Sequence, residues 1–236
     1  MVGNLKSLSI DKREKNKKPG NIIELVGPAG AGKTTLAAEL KNRNLRIKLA
    51  TPPYFRDLNT IPFFTRNILS LLPIIYFTYR AKSNRQLTRS EIVWMATLNG
   101  WQRLLAQQAS KNEANIVLDQ GPVYLLAELM AFGPDCLKND NVKNWWDNAF
   151  KHWASILDLI VWLDTSDYTL IERIENRDKW HIMKGHKEKD LIKFLKDYRE
   201  AYENVISSLT SYNPRLKIIR FDTGLASPEM VLDKLI

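Results

Sequence analysis

The sequence predicts an α/β fold in which a five-stranded parallel sheet carries helices on both faces, and three observations predict it. Short β-branched apolar runs alternate with stretches of helical periodicity along most of the chain, the order that parallel strands joined by crossover helices require. Most of these runs are continuously apolar, as strands covered on both faces must be. The first run ends in a glycine-rich turn that opens directly into a helical pattern, a supersecondary unit with its own chemistry.

Taken in chain order, the expected strands are Ile22 to Val26, Arg46 to Ala50, Asn115 to Asp119, Leu159 to Leu163 and Leu216 to Phe221. Between them Thr34 to Lys41, Ser90 to Ser110, Val142 to Leu157, Asp167 to Asn176 and Asp190 to Leu209 place apolar residues three and four apart, the spacing of a helix with one buried face. No repeat of fixed period interrupts this order, so a solenoid is excluded.

The chain has 236 residues, 44% apolar and 26% charged, which excludes collagen-like, mucin-like and wholly disordered classes and allows one substantial core. A single domain over residues 21–236 is expected. Residues 1–20 hold six basic side chains against Asp11 and Glu14 and end on Pro19 and Gly20. With no apolar h-region they read as a solvated basic tail; a tail touching nucleic acid or anionic membrane is the alternative. Position 2 is Val, so N-myristoylation is excluded. Cys136 is the one cysteine, so no disulfide framework or cysteine zinc site can form, and a cytoplasmic location is expected. The net charge of +9 favours anionic ligands without choosing among them.

Residues Gly27 to Thr34 read GPAGAGKT and match G-x-x-x-x-G-K-[ST], the Walker A pattern, at every position. Chance yields such a match in about one sequence of this length per hundred. Its setting, after the strand-like IIELV and before the helix-like TTLAAELK, is the one the mechanism needs. Glycine permits positive φ and close backbone approach, so the N–H groups of Gly27, Pro28's neighbours Ala29 and Gly30, Ala31, Gly32, Lys33, Thr34 and Thr35 can surround phosphates at the positive end of a helix. Lys33 reaches the outer phosphates of ATP, and Thr34 offers its hydroxyl to Mg²⁺. The predicted fold is therefore the three-layer sandwich of the P-loop NTPases.

Three further segments give the chain a resemblance to the thymidylate kinase and deoxynucleoside kinase group of P-loop kinases, running from about Asn21 to the C-terminus. NIVLDQGP ends a strand in Asp119, which the rule for open α/β sheets puts beside the P-loop as a Mg²⁺ ligand or proton acceptor; a helix cap or turn former ahead of Gly121 and Pro122 is its other reading. ERIENRDKWHIMKGHK carries Arg173 and Arg177, four apart and thus expected on one helix face. The resemblance implies that this pair belongs to a short lid, about residues 173–189, with one arginine nearer the adenine and the other nearer the transferred group. RFDTG, residues 220–224, matches the loop that borders the adenine in the resembled kinases, which implies a base-side role for Thr223; a plain strand-to-helix connection is the alternative.

The resemblance places the acceptor between KLATPPYFRD and LTRSEIVWMATLNGWQRLL, which makes Tyr54, Arg89 and Gln120 candidate substrate-binding residues. The chain departs from the family here. Gln120 stands where an arginine follows the acid, and Thr51, Pro52, Pro53 and Tyr54 stand where a carboxylate base follows the second strand. Trp94, Leu98, Trp101 and Leu105 form a stripe that reads as core, or as a surface on which an acceptor ring stacks. The most apolar stretch, Ile61 to Tyr79, is interrupted by Arg66 and Pro73 and by Asn67 and Ser70; it is expected to pack beside the substrate pocket, with membrane contact open but not favoured.

Together these residues predict an ATP- and Mg²⁺-dependent phosphotransferase with catalytic Lys33, Asp119, Arg173 and Arg177, acting on an unidentified hydroxyl or phosphate acceptor. The alternative is a nucleotide-dependent switch or scaffold with no small-molecule acceptor. No N-K-x-D element is present, which argues against a Ras-type GTPase. Nucleic acid is not an expected partner, and a homodimer is left open.

Overall fold

The computed structural model describes residues 20–43, 46–111, 114–177 and 181–234. The expected basic tail lies outside them except for Gly20, whose N–H donates to the Ala109 carbonyl at 3.3 Å and so belongs to the fold. Five strands, β1 (Ile22–Val26), β2 (Ile47–Ala50), β3 (Asn115–Leu118), β4 (Leu159–Asp164) and β5 (Lys217–Asp222), pair in the order β2-β3-β1-β4-β5. Every pair is parallel, so no two neighbours can be joined by a tight turn and each connection carries a helix. These are α1 (Lys33–Arg43), α2 (Ile61–Arg80), α3 (Arg89–Lys111), α4 (Pro122–Phe132), α5 (Asp140–Ala154), α6 (Asp167–Glu175) and α7 (Glu188–Tyr212), with α8 (Pro228–Asp233) after the last strand.

The period of two along each strand divides the core. Ile22 and Val26 of β1, Ile116 and Leu118 of β3, and Ile160 and Trp162 of β4 face α3, α4, α5 and α7. Ile23, Leu25, Val117, Val161 and Leu163 face α1 and α6. The helices that leave β1 and β3 thus go to opposite faces, which opens a crevice beyond the carboxyl ends of these two adjacent strands. Trp153 of α5 is fully buried, its indole N–H donating to the Leu98 carbonyl at 3.1 Å.

Observed strands agree with the expected ones to within a residue at each end. Helix α4 was absent from the sequence expectation. PVYLLAELMAF is apolar but for Glu128, with Val123, Leu125, Leu126, Ala127 and Leu129 buried, so it offers no polar face against which an amphipathic stripe can be read. Gly121, not Asp119, is its N-cap, and Pro122 its first residue. Helix α2 runs unbroken through Pro73, which is exposed, so the carbonyl it leaves unpaired can meet water. Ser227 caps α8 through the Met230 N–H at 3.4 Å.

Candidate functional site

The turn between β1 and α1 is shaped by three glycines, Gly27, Gly30 and Gly32, with φ of 143°, 83° and 89°. Their reasons differ. A Cβ on Gly27 would lie 1.9 Å from the Leu163 carbonyl oxygen, so β4 permits no side chain there. Gly32 has open space around its missing Cβ, and only its left-handed backbone calls for glycine.

Lys33, the first residue of α1, turns back into this loop. Its ammonium donates to the carbonyls of Gly27 at 2.7 Å and Pro28 at 2.9 Å. Burial lowers the Lys33 amine to about 8, with Asp119 pulling it up and the Arg177 charge pushing it further down. The Gly27 carbonyl also accepts from the Tyr202 hydroxyl of α7 at 3.3 Å. Tyr202 went unread in the sequence, where it is one apolar position of a long amphipathic helix.

Thr34 and Asp119, 85 residues apart, meet at 2.8 Å, the threonine hydroxyl donating to Asp119 Oδ2. Asp119 Oδ1 is buried and has no hydrogen-bond partner. A carboxylate with one oxygen held by a P-loop threonine and the other unsatisfied fits a divalent cation that also binds phosphate oxygens. Among the described residues no three His, Cys, Asp or Glu side chains cluster to hold a metal without such a ligand. The turn bearing Asp119 is fixed from beneath by Glu24, the one polar residue in β1. Fully buried, Glu24 accepts from the N–H groups of Val123 and Tyr124, both at 3.0 Å, at the start of α4. Burial pushes its carboxyl up to about 8 against the pull of these N–H groups. A charged residue inside the run IIELV was the available signal.

The two arginines expected on one helix face are not so arranged. Helix α6 ends at Glu175 with Asn176 as C-cap, and Arg177 lies beyond it, where the chain has left the helical path. Arg173 donates to the Gly30 carbonyl at 3.2 Å and to the Thr223 hydroxyl and carbonyl at 3.1 Å each. It ties the P-loop to the loop after β5 around a cavity of about 290 Å³ that Thr35 also lines. Arg177 instead bears on Lys33 and His181 through its charge. Burial first, then Arg177 and Lys33, push the His181 imidazole below its usual value. Of the expected lid, residues 178–180 lie outside the described residues; beyond them the Lys184 ammonium donates to the Arg177 carbonyl at 2.7 Å, and the Gly185 N–H to Glu175 at 3.0 Å.

Across the crevice Tyr54, Arg89 and Gln120 line a single cavity of about 600 Å³, together with Arg56, Trp94 and Tyr124. No Asp or Glu is among its lining residues; Asp57 instead accepts from the Asn59 N–H as a helix cap. The tryptophan stripe divides, with Leu98, Trp101 and Leu105 buried in the core and Trp94 facing this cavity. Tyr124 donates to Glu128 at 2.6 Å, and Tyr198 donates to the same carboxylate oxygen.

The sequence profile of the AAA domain family matches residues 23–193. Among solved structures, deoxyadenosine kinase from M. mycoides with bound dATP superposes with a TM-score of 0.51 at 18% identity, covering 91% of this chain and 98% of that one. Thymidylate kinase from Candida albicans superposes with a TM-score of 0.51 at 20% identity, covering 92% and 89%. At these identities the likeness is one of fold. No curated protein sequence matches the chain.

Proposed function

The chain belongs to the AAA domain family, and from that premise we propose that it is a P-loop kinase that transfers the γ-phosphoryl group of ATP to a small-molecule acceptor. The observation that carries the reading is a cleft with two compartments: a glycine-built loop with Lys33, Thr34 and Asp119 on one side, and a separate polar cavity at Gln120 on the other. A switch protein needs the first compartment and has no use for the second.

In this reading the N–H groups of Gly27 and of residues 29–35 and the Lys33 ammonium hold the β- and γ-phosphates. Thr34 and Asp119 would hold Mg²⁺, which neutralises phosphate charge as it develops. Arg173 and Thr223 border the base. Arg177, whose charge reaches Lys33, stabilises the transferred group. The acceptor occupies the cavity of Tyr54, Arg89 and Gln120. No carboxylate lines that cavity and Asp119 is taken up by Mg²⁺ in this reading, which favours an anionic phosphate oxygen, needing no base, over a hydroxyl. Arg56 and Arg89 supply positive charge for such an acceptor, the part played in the resembled kinases by an arginine where Gln120 stands.

The test is ADP release from Mg·ATP against nucleosides, nucleoside monophosphates, sugars, alkyl phosphates and lipid alcohols, with Lys33→Ala as the blank. Stimulation by one pool supports the kinase and names the acceptor class. Tight ATP binding with no stimulation by any pool favours the switch.

A further inference from the structure

Beside the acceptor cavity lies a second one of about 610 Å³, walled by Phe55 and by Ile61, Phe64, Ile68 and Leu69 of α2. Each compartment is large enough for a drug-sized ligand. Phe55, Arg56 and Arg89 line both, so the polar cavity and the apolar groove adjoin at these three side chains. The Arg89 guanidinium lies over the Phe55 ring, 5.0 Å from its centroid. Neither Arg56 nor Arg89 has a carboxylate partner among the described residues. From Leu58 to Ser90 the sequence contains five basic residues and no Asp or Glu.

Helix α2 packs on α3 and buries Phe64, Leu71 and Thr78, which recur every seventh residue, yet Ile61 is 49% and Leu69 58% exposed on the groove side. An acceptor made only of sugar and base would leave this apolar surface in water. One with a hydrocarbon chain would cover it, with its anionic head between the two guanidiniums.

We infer that the acceptor is an amphiphilic phosphomonoester, with its phosphate in the cavity at Arg56 and Arg89 and its hydrocarbon chain in the groove along α2. This rests on the kinase reading above. The step balances without a base: an acceptor phosphate oxygen bonds to the γ-phosphorus, the bond from that phosphorus to the β–γ bridging oxygen breaks, and ADP leaves with that oxygen and its electron pair. The product is the diphosphate ester of the same lipophilic alcohol.

Calorimetric titration of the full chain with monoalkyl phosphates of two to eight carbons tests the inference, with ADP release from Mg·ATP measured alongside. Affinity is expected to rise about fourfold for each methylene buried. Leu69→Glu, an exposed substitution, is expected to flatten the series, with Mg·ATP binding at the P-loop as the control that stays unchanged. Affinity independent of chain length, or rising equally in Leu69→Glu, overturns the inference. So does a dimer in sedimentation that Leu69→Glu dissociates and that excludes the alkyl phosphates, because a second copy then covers the groove. Length-dependent binding with no ADP release upholds the groove and overturns the kinase reading. ADP release stimulated by sugars or nucleosides, with no dependence on alkyl length, does the reverse.

Discussion

Around the Gly27 to Thr34 turn most contacts end on main chain. Lys33 donates to two loop carbonyls, Tyr202 to one of them, and Arg173 to the carbonyls of Gly30 and Thr223. Around the Tyr54 to Arg89 cavity the wall is made of side chains from a loop and two helices, and its two arginines have no carboxylate partner among the described residues. A compartment built from backbone tolerates few sequences, because φ and close approach are fixed by the phosphates it must surround. A compartment built from side chains can change its ligand without changing the fold.

Substitutions on the two sides should therefore fail differently. Lys33→Ala should lower phosphoryl transfer about a thousandfold, with thermal stability close to wild type; wild-type transfer would break the assignment of this loop to the donor. Arg177→Ala should lower kcat about a hundredfold while barely changing the KM for ATP, since its charge bears on Lys33. Arg173→Ala should do the opposite and weaken ATP about tenfold, because its hydrogen bonds hold the loop beside the base-side cavity. Exchanged phenotypes would mean that the two arginines have been assigned the wrong way round.

Arg89→Ala should raise the acceptor KM about tenfold with ATP affinity unchanged. On the P-loop side, Lys33 carries a pH signature. Its ammonium, lowered to about 8 by burial, is half neutral near that pH, and a bound triphosphate favours the charged form. Binding should therefore take up a proton at pH 8.5, and ATP affinity should fall by up to about tenfold per pH unit above 8. Calorimetry in two buffers of different ionisation heat reads this directly, and no net proton uptake would contradict it. The smallest effect is expected for Tyr202→Phe, which removes one hydrogen bond to the Gly27 carbonyl: about 1 kcal/mol of stability, read from denaturant unfolding.

The P-loop side was legible in the sequence for the reason it is fragile. GPAGAGKT states its backbone geometry in its glycines, and Asp119 could be placed by the rule that ligands sit beyond strand ends. What escaped had a physical cause. Helix α4 is apolar but for Glu128, so it shows no 3.6-residue stripe. Arg177 is four residues from Arg173, but the Asn176 cap ends the helix between them, and spacing says nothing of where a helix stops. The groove along α2 is made by the packing of α2 on α3 and by the turn at Phe55, a tertiary arrangement that hydropathy alone could equally have read as a membrane segment.

The most direct measurement follows the label of γ-³²P-ATP in the presence of Mg²⁺ and the acceptor panel, for wild type and Lys33→Ala. The account predicts label in a new acceptor product with wild type, none with Lys33→Ala, and unlabelled ADP as the coproduct. Label appearing only as inorganic phosphate, or remaining in tightly bound ATP with every acceptor pool, would contradict it.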